Sequence, residues 1–147
     1  MARVYTSSVI NAPVERVWGR VRDFNGLPNW HPAIAESRIE NGEPADKIGC
    51  VRDFRLRNGD RLREKLLGLS DYDMFCTYSI LESPMGVDNY VATLRLPPNT
   101  DGNRTFWRWE SRFTTKPEDS ARVTRMVAEE IYQAGFEAIR RHLKERA

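Results

Sequence analysis

Four residues of this sequence, Arg52, Glu64, Tyr78 and Tyr90, are of types that could do chemistry together. An arginine and a carboxylate sharing a site with two phenols can move a proton and stabilise negative charge on an oxygen, provided the chain brings them together. Side-chain alternation decides whether it does. In 48–56 the even positions read Ile48, Cys50, Arg52, Phe54 and Leu56, so that face points inward. In 61–66 Leu62, Glu64 and Leu66 alternate with Arg61, Arg63 and Lys65, which puts Glu64 on the apolar face although its neighbours in sequence are basic.

The connection between these stretches contains Asn58-Gly59. A two-residue turn would pair Arg57 with Asp60 and set Phe54 opposite Arg63. A three-residue loop, Arg57-Asn58-Gly59 with Gly59 left-handed, sets Phe54 opposite Leu62 and Asp53 opposite Arg63. Only the longer loop keeps apolar residues facing apolar ones, and it places Arg52 directly opposite Glu64. A turn around Ser70-Asp71-Tyr72 then pairs Leu66 with Cys76 and Glu64 with Tyr78, if no further bulge intervenes. The connection Ser83-Pro84-Met85 pairs Tyr78 with Tyr90. Further along, Arg108, Glu110 and Arg112 should face water and leave Trp107, Trp109, Ser111 and Phe113 inward, with Trp109 beside the row.

A buried arginine–carboxylate pair is a poor way to stabilise a core, because desolvation costs more than attraction returns unless the geometry is excellent. Such a pair therefore points to function. Arg52 would lower the pKa of Glu64 and apolar walls would raise it, and the sequence does not choose between them. Were the row at the open mouth of a sheet, it would be a hydrated ion pair with two ordinary tyrosines.

The elements that must position these residues follow from periodicity. Val4 to Ile10 reads as a strand, and Pro13 opens a short helix with Val14, Val17, Trp18 and Val21 at helical spacing. Turn formers from Asn25 to Pro32 break it. Strands are expected at 33–41, 48–56, 61–69, 73–81, 88–96 and 104–114. After Lys116-Pro117-Glu118 comes a long helix, with Val123, Val127, Ile131, Ala134, Ala138 and His142 on one face. A strand, two short helices, six strands and a long helix is the order of the helix-grip fold, an α+β architecture in which a seven-stranded curved antiparallel sheet wraps the C-terminal helix. Small residues such as Ala134, Gly135 and Ala138 leave a cavity under that sheet, unless the four tryptophans fill it.

All 147 residues are expected to form one domain, since no Gly/Ser-rich or Pro-rich stretch divides them. The basic clusters Arg55/Arg57/Arg61/Arg63 and Arg140/Arg141/Lys144/Arg146 have acidic neighbours, which argues against a nucleic-acid partner. Cys50 and Cys76 read as free thiols, and the absence of a signal-like or membrane-length apolar run points to the cytoplasm with no membrane partner. Neither histidine has partners at metal-ligand spacing, so neither metal nor cofactor is expected.

The stretches Leu27-Pro28-Asn29-Trp30-His31-Pro32, Gly49-Cys50-Val51-Arg52, Glu64-Lys65-Leu66-Leu67, Tyr78-Ser79-Ile80-Leu81-Glu82 and Tyr90-Val91-Ala92-Thr93 resemble the SRPBCC superfamily. The branch is the START-like polyketide cyclases and dehydrases, with bacterial members and the plant lachrymatory factor synthases. The resemblance covers nearly the whole chain. It implies an enzyme or binding protein whose cavity takes a small hydrophobic molecule with a polar oxygen group. In the lachrymatory factor synthases an arginine and a glutamate, helped by tyrosines, rearrange a small sulfenic acid, and the matching positions here are Arg52, Glu64, Tyr78 and Tyr90. The hairpin between Arg52 and Glu64 is shorter than theirs, so the sulfur substrate does not carry over.

The expected ligand wall comprises the aromatic Trp30, Phe54, Trp107 and Trp109, together with His31, Cys76 and Ile131. His31 could be an acid, a base or a gate, or only pack its loop. Asp88 reads as a solvated turn residue and His142 as a cation complementing the helix dipole. Pro84-Met85-Gly86 and Gly26-Leu27-Pro28 would sit at the cavity edge as lids or plain turns. A monomer and a homodimer fit the sequence equally.

Overall fold

The computed structural model describes residues 1–145; Arg146 of the second basic cluster lies outside them. Seven antiparallel strands form one curved sheet: β1 (Ala2–Ile10), β2 (Ile34–Ile39), β3 (Val51–Leu56), β4 (Arg61–Ser70), β5 (Phe75–Glu82), β6 (Asp88–Arg95) and β7 (Thr105–Thr114). Their order, β1-β7-β6-β5-β4-β3-β2, puts the first two strands on opposite edges. The chain between them must therefore cross the sheet. It does so as two short helices, α1 (Val14–Val21) and α2 (Leu27–Trp30). Pro13, with its fixed φ, stands at the N-cap of α1, and Val17, Trp18 and Val21 are the buried stripe. Asp71, in the β4–β5 turn, pins α1 by accepting from Trp18 Nε1 at 2.8 Å and Arg22 Nε at 2.6 Å.

The long C-terminal helix is one helical run in three parts: α3 (Ser120–Met126), a π-helical segment (Val127–Gln133) and α4 (Ala134–Glu145). The wider π turns hold an extra residue and rotate the buried face relative to a regular helix. Val123, Val127, Ala138 and His142 are buried as expected, and Tyr132, Phe136, Ile139 and Leu143 are buried beside them. The buried face is thus wider than the expected one, of whose members only Ile131 and Ala134 are partly rather than fully buried. His142 lies near the end of this run, on its buried side. Among the described residues no helix is long and apolar enough to cross a membrane.

The β3–β4 register is the expected one: Arg52 faces Glu64, Asp53 faces Arg63 and Phe54 faces Leu62. The three-residue loop has Gly59 at φ +98°, a conformation that disfavours any side chain. The next two registers correct the expected row. Glu64 pairs with Ile80, and Tyr78 pairs with Leu66 on one side and Ala92 on the other. Asp71 to Met74 forms a four-residue connection with Met74 in the left-handed region, and bulges interrupt β4 at Arg63/Glu64 and Leu66/Gly68. The displacement near Glu64 is two residues, an even number, so Tyr78 keeps its inward face while moving one step along the sheet. Tyr90 moves by the same step relative to Tyr78. The row becomes a diagonal.

Trp107, Trp109 and Phe113 face inward on β7, as alternation requires. Trp109 stacks between Trp107 and Tyr132, with centroids 5.4 and 4.6 Å apart. Gly135 makes this stack possible, because a Cβ there would lie 2.7 Å from Trp109 Cζ3. A Gly→Ala change in a helix ordinarily gains about 1 kcal/mol, but here a ring held on both faces must move. Gly135→Ala is expected to lower unfolding stability by about 1–2 kcal/mol in urea denaturation, the overpacking cost exceeding the helical gain. A variant stabler than the parent would show that Trp109 yields cheaply.

Candidate functional site

Between the sheet and the helical run lies a cavity of about 360 Å³, toward the small end of the ~300–1,000 Å³ usual for ligand pockets. Arg52 and Glu64 are in its wall and are 7% and 5% exposed, so the hydrated-pair alternative does not hold. The guanidinium reaches Glu64 Oε1 through Nε at 2.9 Å and Nη2 at 2.6 Å. Its third nitrogen, Nη1, donates to the carbonyl of Phe24 at 3.0 Å. The Phe24 ring lies 4.1 Å from Arg52 Cζ, and the Tyr78 ring 5.0 Å from it, so aromatic faces complete the cation's surroundings. β3 and β4 aim the pair inward, and the segment between α1 and α2 clamps it from above.

Two forces act on the Glu64 proton. Burial raises the carboxyl pKa and Arg52 lowers it, and burial is the larger effect, so Glu64 lies above its ordinary value. The competition left open by the sequence resolves toward a carboxyl that holds a proton more tightly than an exposed one.

The phenols form a second polar group. Trp109 Nε1 donates to the Tyr78 hydroxyl at 3.0 Å, which leaves the Tyr78 proton to be donated elsewhere. The Tyr90 hydroxyl is hydrogen-bonded to that of Tyr132. Burial pushes the pKa of both Tyr78 and Tyr90 well above the normal phenol range, so each acts as a neutral O–H. Both line the cavity with Arg52 and Glu64.

Of the expected ligand contacts, His31, Phe54, Trp109 and Ile131 also line the cavity. Trp30, Cys76 and Trp107 are buried but are not among the lining residues. Trp107 is enclosed by Trp30, Trp109 and Phe136, and the Cys76 thiol, pushed up to about 11 by burial, is a packing group rather than a nucleophile. His31 accepts the Ala33 N–H on Nδ1 at 3.2 Å, and burial lowers its pKa. Both effects favour the neutral imidazole with its proton on Nε2. Leu27, Pro84 and Met85, from the two loops expected at the cavity edge, line it as well.

Alternation did not single out Phe24 or Tyr132. Phe24 sits among turn formers, where periodicity carries no signal. Tyr132 stands five residues after Val127, but its spacing to Phe136, Ile139 and Leu143 is helical, a second phase readable in the sequence.

Residues 1–144 match the family model described as polyketide cyclase/dehydrase and lipid transport. The abscisic acid receptor PYL7 of Arabidopsis thaliana is 29% identical over 99 residues, which are 65% of this chain and 46% of the receptor. The matched stretch is thus under half the receptor's length. The protein XoxI of Bacillus cereus superposes with a TM-score of 0.86 at 29% identity, over 100% of this chain and 99% of that one. Norcoclaurine synthase of Thalictrum flavum, in complex with dopamine and hydroxybenzaldehyde, superposes at 0.74 over 99% of this chain and 87% of that one. Its 18% identity makes it a match in fold alone.

Proposed function

Because the chain belongs to the polyketide cyclase/dehydrase and lipid transport family, we propose that its cavity binds a small hydrophobic metabolite and moves a proton on it. The observation that carries this reading is the placement of a buried carboxyl with a raised pKa beside Arg52 and within one cavity shared by two neutral phenols. Glu64 removes a proton from carbon next to a carbonyl, and the electron pair moves to the carbonyl oxygen. The hydroxyls of Tyr78 and Tyr90, with the charge of Arg52, stabilise the oxyanion. Returning the proton at another carbon gives isomerisation, expelling a β-hydroxyl gives dehydration, and attack on a second carbonyl gives cyclisation. His31, Phe54, Trp109 and Ile131 supply the apolar and aromatic contacts.

The competing reading is a carrier that holds the metabolite unchanged. It is favoured by the lipid-transport part of the family description and by likeness to an abscisic acid receptor. Mass spectrometry of the ligand that copurifies separates the two. Incubating that compound with fresh protein is expected to give an isomer or a product lighter by one water, and quantitative recovery of the input would leave only the carrier.

A further inference from the structure

The charge of the cavity selects its ligand. An arginine in an apolar pocket is ordinarily read as an anchor for a carboxylate. Here all three guanidinium nitrogens already have oxygen partners: Nε and Nη2 on Glu64, and Nη1 on the Phe24 carbonyl. An incoming anion must share this one buried cation with Glu64 or displace it, so that two buried negative charges face a single positive one. The remaining ionic lining residues, Asp60 and Glu130, are exposed and both acidic, and the lining histidine, His31, is held neutral. An ionised ligand acid thus meets a negative rim and then a cation whose charge is already matched. The neutral groups able to donate into the cavity include the phenols, foremost the Tyr78 hydroxyl, whose own proton is not used in accepting from Trp109, and the Nε2–H of His31. A volume of about 360 Å³ is that of roughly a dozen waters at ~30 Å³ each.

We infer that this cavity selects an uncharged ligand of one or two rings or equivalent size, bound through a carbonyl-type oxygen to the phenols, and rejects free carboxylic acids. This deepens the proposed function, on whose cavity it rests, by naming the substrate class.

The test uses two probes of the same shape, 2-acetonaphthone and 2-naphthoate, titrated by calorimetry into the full chain at mildly alkaline pH. The ketone is expected to bind at least about tenfold more tightly, a difference of about 1.4 kcal/mol. Glu64→Gln leaves Arg52 with a neutral partner and is expected to raise naphthoate affinity about tenfold, with the ketone changed by less than about threefold. Asp60→Asn/Glu130→Gln, which alters only exposed positions, is expected to raise naphthoate affinity a few-fold at low salt and not at high salt. Equal or tighter binding of naphthoate by the parent overturns the inference, as does an unchanged naphthoate affinity in both variants or the absence of saturable ketone binding. Its failure is separable from that of the catalytic reading, which is decided by turnover. Charge-blind binding with turnover lost in Glu64→Gln removes this inference alone, and charge-selective binding with turnover intact removes only the proton transfer.

Discussion

Glu64→Gln is expected to lower turnover of the genuine substrate by about 10²–10⁴-fold, the usual contribution of a positioned proton-transfer group. Glutamine preserves the shape of the carboxyl and an oxygen for Arg52 to donate to, so a loss of rate with little loss of affinity for a neutral ligand isolates the proton. Unchanged turnover would sink the catalytic role. The same variant reads the pKa directly. Folding raises the Glu64 pKa above its ordinary value of about 4.5, so within that window the folded chain holds a proton that the unfolded chain has released. Stability from this group is therefore complete below the window and is lost as pH rises through it. Denaturation of the parent minus that of Glu64→Gln, followed against pH, is expected to fall with that sign. Taking the difference cancels the opposite contributions of Glu40, Asp53 and Asp71, whose arginine partners hold them below their usual range.

The second large effect is on stability. Arg52→Met is expected to cost about 3–5 kcal/mol near neutral pH, because it strands a buried carboxylate and removes the charge stacked on Phe24. Glu64 can respond by keeping its proton, so the cost should shrink toward acid pH, where the unfolded chain is protonated as well. Arg52→Met/Glu64→Leu removes both charges and is expected to recover most of the loss, or to exceed the parent by about 1–4 kcal/mol. Urea denaturation of the parent, Arg52→Met, Glu64→Leu and the double variant forms the cycle. A double variant no better than Arg52→Met would mean that shape rather than charge matching holds this wall.

The sequence made the pair at Arg52 and Glu64 legible because local rules govern it: two-residue alternation on each strand chooses between the two loop lengths that Asn58-Gly59 allows. The same rules placed Tyr78 and Tyr90 on the correct face but one step away from their partners. Alternation carries face information without distance, and a register displaced by two residues keeps every side chain inward. The bulges in β4 and the longer Asp71–Met74 turn left no mark on the apolar pattern. Phe24 escaped because a carbonyl that accepts from Arg52 can belong to any residue, so the clamp is set by topology and has no side-chain signature. The small residues of the last helix point to open space, and at Gly135 that space is taken up by the Trp109 ring.

The π segment at Val127–Gln133 makes the phase of the last helix a variable separate from the sheet. A single codon lost there would return the run to 3.6 residues per turn and present a different set of side chains to the ligand, with all seven strands in their present register. One residue gained or lost there refits a single wall of the chamber and leaves untouched the strand pairing that holds Arg52 against Glu64.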